Sequence, residues 1–310
     1  MGRSLLYLIA AAMAGLAAMA LWPGRIDPAA WDPPPAPAMD GVYAPNDRLH
    51  EAELLATGQV YGPEDVAVDD QDRIYGGTQD GLIVRVWPDG RVETFAETGG
   101  RPLGLHFDAD GNLIVADAWR GLLSISPGGE ITVLSTSADG VPFGFTDDLD
   151  IASDGTIYFS DASTRFGQDE YVLDLLEMRP HGRLLAYDPA TGQTRVLLDN
   201  LYFANGVALS SREDFVLVNE TWAYRVRRYW LQGPNAGTAD LFVDNLPGFP
   251  DGISGNRQGR FWVALLTPRL ASVDRAHPRP WMKRIISRLP DGLKPKPVEY
   301  GFVLALDEYG

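Results

Sequence analysis

Four oxygen-bearing side chains share one register in this sequence. Five short runs open on an inward apolar residue: Val66, Leu105, Leu149, Val207 and Ile253. Two positions before each stand Glu64, Leu103, Asp147, Asn205 and Asp251. All but Leu103 carry side-chain oxygens, and a converging set of carboxylates and an amide suits Ca2+, or another divalent cation such as Mg2+ or Mn2+. Three carboxylates without a counter-charge would repel one another in a low-dielectric channel. No Lys or Arg stands at the equivalent positions. Asp and Asn also cap turns where strands begin, so any single residue argues little; the shared register argues for a cation. Asp65 and Asp148 directly follow two of the ligand candidates. Such residues could orient the ligands, bind a second cation, or act as a general base toward water. Gly206 and Gly252 take the matching places in two other runs and allow close backbone approach.

The elements that would position these residues are repeated. Residues 145–162, FTDDLDIASDGTIYFSDA, read as a strand, an Asp154-Gly155 turn and a return strand. Leu149 and Ile151 alternate with polar neighbours, the pattern of a half-buried strand, and Asp-Gly is a two-residue hairpin signal. Similar units occupy 66–97 and 105–135, continue through 182–201, and begin again at 207–231 and 253–266. Up to four short strands in about 40–45 residues is the signature of a propeller blade. A two-sheet sandwich does not explain the repeated phrase. In a propeller the first strand of each blade lines the axis, which would draw the register residues into a ring. Residues 51–60 read as a strand without partners in its own repeat, and the sequence ends in mid-pattern at Glu308-Tyr309-Gly310. Because open edges are a liability, the expectation is an all-β, six-bladed propeller over residues 51–310 whose final blade is missing from this chain. Two insertions look helical, at 169–178 and at 280–289. The second is amphipathic, with Trp281, Ile285, Ile286 and Leu289 on one side and Arg279, Lys283, Arg284 and Arg288 making it basic. It would cap a blade or touch an anionic membrane surface.

Composition narrows the function classes. The formal net charge is −16, which argues against a nucleic-acid partner. There is no cysteine, so disulfides, thiolate metal sites and a cysteine nucleophile are excluded. Four histidines leave little room for a His-rich zinc cluster, and no GxSxG elbow is present. His106 reads as a residue packed between blades, and His181 as a position near the channel mouth. Trp119, Trp222 and Trp262 read as core or blade-interface residues. Residues 1–22 hold an apolar run, 5–22, of a length between a signal peptide and a spanning helix. Ala18-Met19-Ala20 resembles a cleavage site, while Trp22 suits an interfacial position and favours an uncleaved anchor. Either reading puts the propeller on the non-cytoplasmic side, anchored or secreted. The Pro-rich stretch that follows, 23–50, reads as an extended, solvated linker.

Several phrases together carry a resemblance: YGPEDVAVD, TGGRPLGLHFDADGNLIVADAWRGLL, DDLDIASDGTIYFSDAS, HGRLLAYDP, FANGVALS, PGFPDGI and PRPWMKRIISRLP. They resemble the strictosidine-synthase-like family, and within it the membrane-anchored branch, over residues 55–310. The resemblance implies a six-bladed propeller related to paraoxonases and gluconolactonases. The paraoxonase metal site implies calcium-ligand roles for Glu64, Asp147, Asn205 and Asp251. This sequence departs from that pattern at Asp147, where an Asn is usual, and at Gly252, where a further Asn ligand stands. Leu103 replaces a channel histidine, so a His-based mechanism is not carried over. The glutamate that plant strictosidine synthase uses lies in a last blade not found in this sequence.

Three function classes follow. The first is a metal-dependent hydrolase of small-molecule esters or lactones, with Asp148 or Asp65 as base. The second is a condensing lyase of the strictosidine-synthase type. The third is an anchored propeller that binds without turnover. No protein partner is indicated.

Overall fold

Strands form where β-branched and aromatic residues repeat between Gly, Asp, Asn and Pro turns. The computed structural model describes residues 24–310 together with Tyr7, Ala10, Met13, Gly15, Met19 and Ala20. Blade one comprises β1 (Val66–Val68), β2 (Ile74–Gly77), β3 (Leu82–Val86) and β4 (Val92–Glu97). Blade two comprises β5 (Pro102–Phe107), β6 (Leu113–Asp117), β7 (Gly121–Ile125) and β8 (Ile131–Ser135). A short hairpin, β9 (Ser137–Ala138) and β10 (Val141–Pro142), leads to blade three: β11 (Thr146–Ile151), β12 (Ile157–Asp161), β13 (Gly182–Asp188) and β14 (Gln193–Leu201). Blade four comprises β15 (Ala204–Leu209), β16 (Phe215–Glu220), β17 (Arg225–Trp230) and β18 (Ala239–Val243). Blade five has three strands, β19 (Gly248–Gly255), β20 (Arg260–Pro268) and β21 (Phe302–Asp307). Each blade is antiparallel, and the innermost strands pack successively, β1 on β5, β5 on β11, β11 on β15 and β15 on β19.

The propeller therefore has five blades, not the expected six with one missing. The run 51–60 forms no strand with which a sixth blade could pair. Ala56 and Gly58 adopt left-handed backbone (φ 53° and 76°), and the N–H groups of Gln59 and Val60 turn back to the Ala56 carbonyl. Such residues cannot continue a ladder. The outer strand of blade five is β21 itself.

The core lies between blades, which changes the reading of alternation. Ile157 and Phe159 pack toward blade two, while Tyr158, between them, packs toward blade four. Both faces of β12 are buried. The same holds for β11, where Asp148 and Asp150 are 8% and 6% exposed. The expected half-buried strand is thus buried on both faces, because its polar row meets the next blade rather than water.

The helical insertions form a canopy at one end. Helix α1 (Tyr171–Glu177) leaves blade three; α2 (Ala271–Ala276) and α3 (Pro280–Ser287) leave blade five. The sequence pattern placed Lys283 on a basic outer face, yet Lys283 is fully buried. It donates to the Ala29 carbonyl at 2.6 Å. The stretch that contains Ala29 is extended but not fully solvated. Ile26 is buried, Trp31 packs tilted against Tyr224 and edge-to-face against His277, and the Ala29 N–H donates to the Glu177 carbonyl. Arg269 also holds the Pro34 carbonyl at 2.7 Å. The apolar run 5–22 lies outside the described residues apart from six positions. Among the described residues no helix is long and apolar enough to cross a membrane.

Candidate functional site

The innermost strands break register where the candidate ligands stand. The breaks fall between Pro102 and Gly104, Thr146 and Leu149, Ala204 and Val207, and Pro250 and Ile253. Leu103, Asp147, Asn205 and Asp251 lie inside them. A bulge re-aims a side chain out of the alternating pleat and is common beside active sites. Glu64 precedes β1 and needs no bulge.

These side chains meet at the axis. Asn205 Nδ2 donates to Asp251 Oδ1 at 2.9 Å and to Asp147 Oδ2 at 3.3 Å. Asp147 and Asn205 are 2% and 3% exposed, and Asp251 is half-buried. Glu64 keeps 29% of its side chain exposed at the mouth. A cavity of about 230 Å³ lies here, lined by Glu64, Leu103, Asp147, Asn205 and Trp262 among others. Among the described residues no three carboxylates or imidazoles form a tight cluster by themselves; the amide of Asn205 joins two of the acids.

Asp65 and Asp148 reach the same cavity and also do something the sequence did not announce. Asp65 Oδ2 accepts from the Leu105 N–H at 2.9 Å, so blade one grips β5 of blade two. Asp148 Oδ2 accepts from the Val207 N–H at 2.8 Å, so blade three grips β15 of blade four. Asp150 repeats the contact two residues on, to the Leu209 N–H at 2.8 Å. At the intervening blades the matching residue is Gly. A Cβ on Gly104 would stand 2.7 Å from Asp148 Cα, and one on Gly206 would press on Ile253 N and Asp251 O. Aspartate clamps thus alternate with glycine close approaches around the axis.

The register also missed Arg101. It lies two residues before Leu103, is 9% exposed, and points Nη2 at Glu64 Oε2, 3.7 Å away. The local signal was Gly99-Gly100-Arg101-Pro102 at the entry to β5. Asn219 was missed as well; its Nδ2 holds the Asp251 carbonyl at 2.5 Å. His181 binds Glu177 of α1 at 3.0 Å, and His106 lies 3.6 Å from Asp150. Trp222 is buried under the canopy, whereas Trp119 is 54% exposed.

Burial dominates the electrostatics. It pushes Asp147 well above the ordinary carboxylate range, helped by the charges of Glu64, Asp251 and Asp148. Burial and then Asp251 push Glu64 up to about 8, with Arg101 opposing. Although Glu64 has surface at the mouth, most of its surroundings are protein. Burial pushes Asp251 up to about 6 against the Asn205 hydrogen bond. Asp148 and Asp65 are raised by burial, each opposed by two backbone N–H groups. The ring thus has three acids, an amide and one distant guanidinium. An all-oxygen donor set with excess negative charge fits a hard divalent cation.

Known proteins share this architecture. Residues 147–234 match the family described as Strictosidine synthase, and residues 41–86 match Strictosidine synthase-like, N-terminal. The chain is 40% identical over 296 residues to the Homo sapiens adipocyte plasma membrane-associated protein, covering 88% of this chain and 71% of that one. It is 43% identical over 230 residues to strictosidine synthase-like protein 4 of Arabidopsis thaliana, covering 72% and 61%. Among solved structures, a gluconolactonase from Xanthomonas campestris aligns with a TM-score of 0.57 at 20% identity, covering 67% and 71%. The calcium-binding regucalcin of Agrobacterium tumefaciens aligns at 0.54 and 16%, covering 66% and 68%. Those two likenesses concern the fold alone, a propeller. The extent and identity of the match to the plasma membrane-associated relatives establish that the chain belongs to the strictosidine-synthase-like family of propellers.

Proposed function

We propose that the chain is a metal-dependent hydrolase of small esters or lactones. Glu64, Asp147, Asn205 and Asp251 would hold Ca2+ or a similar divalent ion. The observation that carries the reading is the Asn205 amide linking buried Asp147 and half-buried Asp251, acids of the two neighbouring blades. The gluconolactonase and calcium-binding names of the structural neighbours add support. A bound cation would polarise the substrate carbonyl and stabilise the oxyanion. The protein's own part is to fix the ligands and manage a proton. Asp65 and Asp148 line the cavity with raised proton affinity, so either could take a proton from an attacking water. The two backbone N–H donors to each carboxylate hold its position while it does so. Trp262 and Val303 give one wall an apolar surface for the acyl part.

The propeller is further read as lying on the non-cytoplasmic side of a membrane, tethered through its N-terminal apolar run; the naming of its relatives as plasma membrane-associated supports this. The family match favours a second reading, a condensing lyase for an amine and an aldehyde. An ester and lactone panel, run beside an amine–aldehyde pair, separates the two. Turnover of a lactone or aryl ester that needs calcium and is lost in Asp251→Ala and Asn205→Ala supports the hydrolase. Unchanged turnover in both variants contradicts it, and absence of turnover with metal binding intact would leave a binding propeller.

A further inference from the structure

A second cavity, of about 100 Å³, lies under the canopy and shares no lining residue with the axial one. Its walls are almost wholly apolar, with Leu175, Trp222, Phe249 and Val273 prominent. The charged or imidazole side chains that reach it are Lys283 of α3, His277, just after α2, and the half-buried Lys294. Lys283 and His277 are fully buried. Neither ring nitrogen of His277 has a hydrogen-bond partner. Lys283 spends one N–H on the Ala29 carbonyl, and an ammonium group has three donors. The nearest acidic residue of α1, Glu177, is already engaged by Arg165 and His181, both at 3.0 Å, and by the Asp27 N–H at 2.8 Å. A buried ammonium without an anion and an imidazole without a partner are uncommon in a folded chain. Here both border one apolar space.

We propose that this cavity binds a small carboxylic acid with an apolar body, its carboxylate taken by Lys283 and His277 and its body by the Leu175–Trp222–Phe249 wall. A carboxylate has acceptor sites for both donors, and charge-assisted bonds of this kind are about twice as strong as neutral ones. A neutral ligand of the same shape would fill the space and leave the ammonium without a counter-charge. Burial holds the Lys283 amine down to about 8 and the His277 ring down to about 3, so the imidazole enters as a neutral N–H donor. The Ala29 carbonyl at Lys283 also ties the extended segment that contains it to the canopy.

Titration calorimetry on the full chain tests this, with butanoate as probe and butanol as its neutral counterpart, ligands small enough for a cavity of about 100 Å³. The acid should bind with one equivalent and at least about tenfold tighter than the alcohol. Lys283→Met should weaken the acid by about tenfold or more while leaving the alcohol unchanged, and His277→Phe should act in the same direction. Glu64→Gln, at the axial ring, should leave acid binding as in wild type, which separates this site from the proposed metal centre. If Lys283→Met fails to fold, the acid–alcohol comparison on wild type still decides. No binding of the acid up to about 10 mM, a range that covers millimolar affinities, or equal binding of acid and alcohol, would overturn the proposal.

Discussion

Two groups of buried carboxylates contrast in this molecule. At the ends of the second strands, Asp117, Asp161 and Glu220 are fully buried. Asp117 takes three backbone N–H groups on Oδ1, while its Oδ2 has no partner. Asp161 accepts from the Gly144 and Phe145 N–H groups at 3.0 and 2.9 Å, and from Arg183 at 2.6 Å. Glu220 accepts from the Tyr202 N–H and from Arg225. At the axis, Asp147 and Asp251 share one amide, and Glu64 has a guanidinium 3.7 Å away. The residue types are the same and both sets repeat from blade to blade. What separates them is the donor inventory. The outer set ties blades two, three and four each to its own entering strand, and the axial set is left with negative charge that a proton or a bound cation would neutralise.

Substitutions sharpen the contrast in order of expected size. Asp161→Ala would leave Arg183 buried and unpaired, so stability should fall by about 3–5 kcal/mol with or without calcium, measured by denaturant unfolding. Asp251→Asn should do the reverse: little change without metal, and calcium affinity lowered by about 100-fold, since loss of even outer-shell support costs about 10–100-fold, measured by calorimetry. Asp148→Asn tests the clamp between blades three and four. It puts an amide where two backbone N–H groups need an acceptor, and should cost about 1–3 kcal/mol with the fold retained in circular dichroism.

A separate test is the pH dependence of chelated protein. Glu64, Asp147 and Asp251 have proton affinities in the folded state above those of unfolded chains. A raised folded pKa contributes stability that is present below the unfolded pKa and lost as pH rises through the folded value. Chelated protein should therefore lose stability between about pH 4 and pH 8, the window from an ordinary carboxylate to Glu64. Calcium should reduce that loss, because a bound cation favours the charged acids. A chelated protein that becomes more stable across the same window would contradict this electrostatic picture.

The register of inner strands was legible in the sequence because blades repeat and pleats alternate. That was enough to select Glu64, Asp147, Asn205 and Asp251, which the structure brings to one end of the axis. The bulges that aim them were not legible, since a register shift depends on the partner strand. Nor were the clamps of Asp65 and Asp148 to Leu105 and Val207, which join residues 40 and 59 positions apart. Arg101 escaped because it enters the ring from two residues outside the register. Lys283 misled because helical periodicity identifies a polar residue but not the backbone carbonyl that will receive it. The run 51–60 misled because its apolar residues suit a strand, while Ala56 and Gly58 take left-handed backbone. The blade count rested on that run and on the family likeness, and the structure has five.

The central claim is that the axial acids form a cation site, and thermal unfolding with calcium against chelator tests it most directly. A site at about 100 times its dissociation constant in free calcium adds about 2.7 kcal/mol. For a chain of this size that should raise the midpoint by about 4–5 °C. The account predicts that shift in wild type and its loss in Asp251→Ala and Asn205→Ala. Identical midpoints with calcium and with chelator in wild type would contradict it.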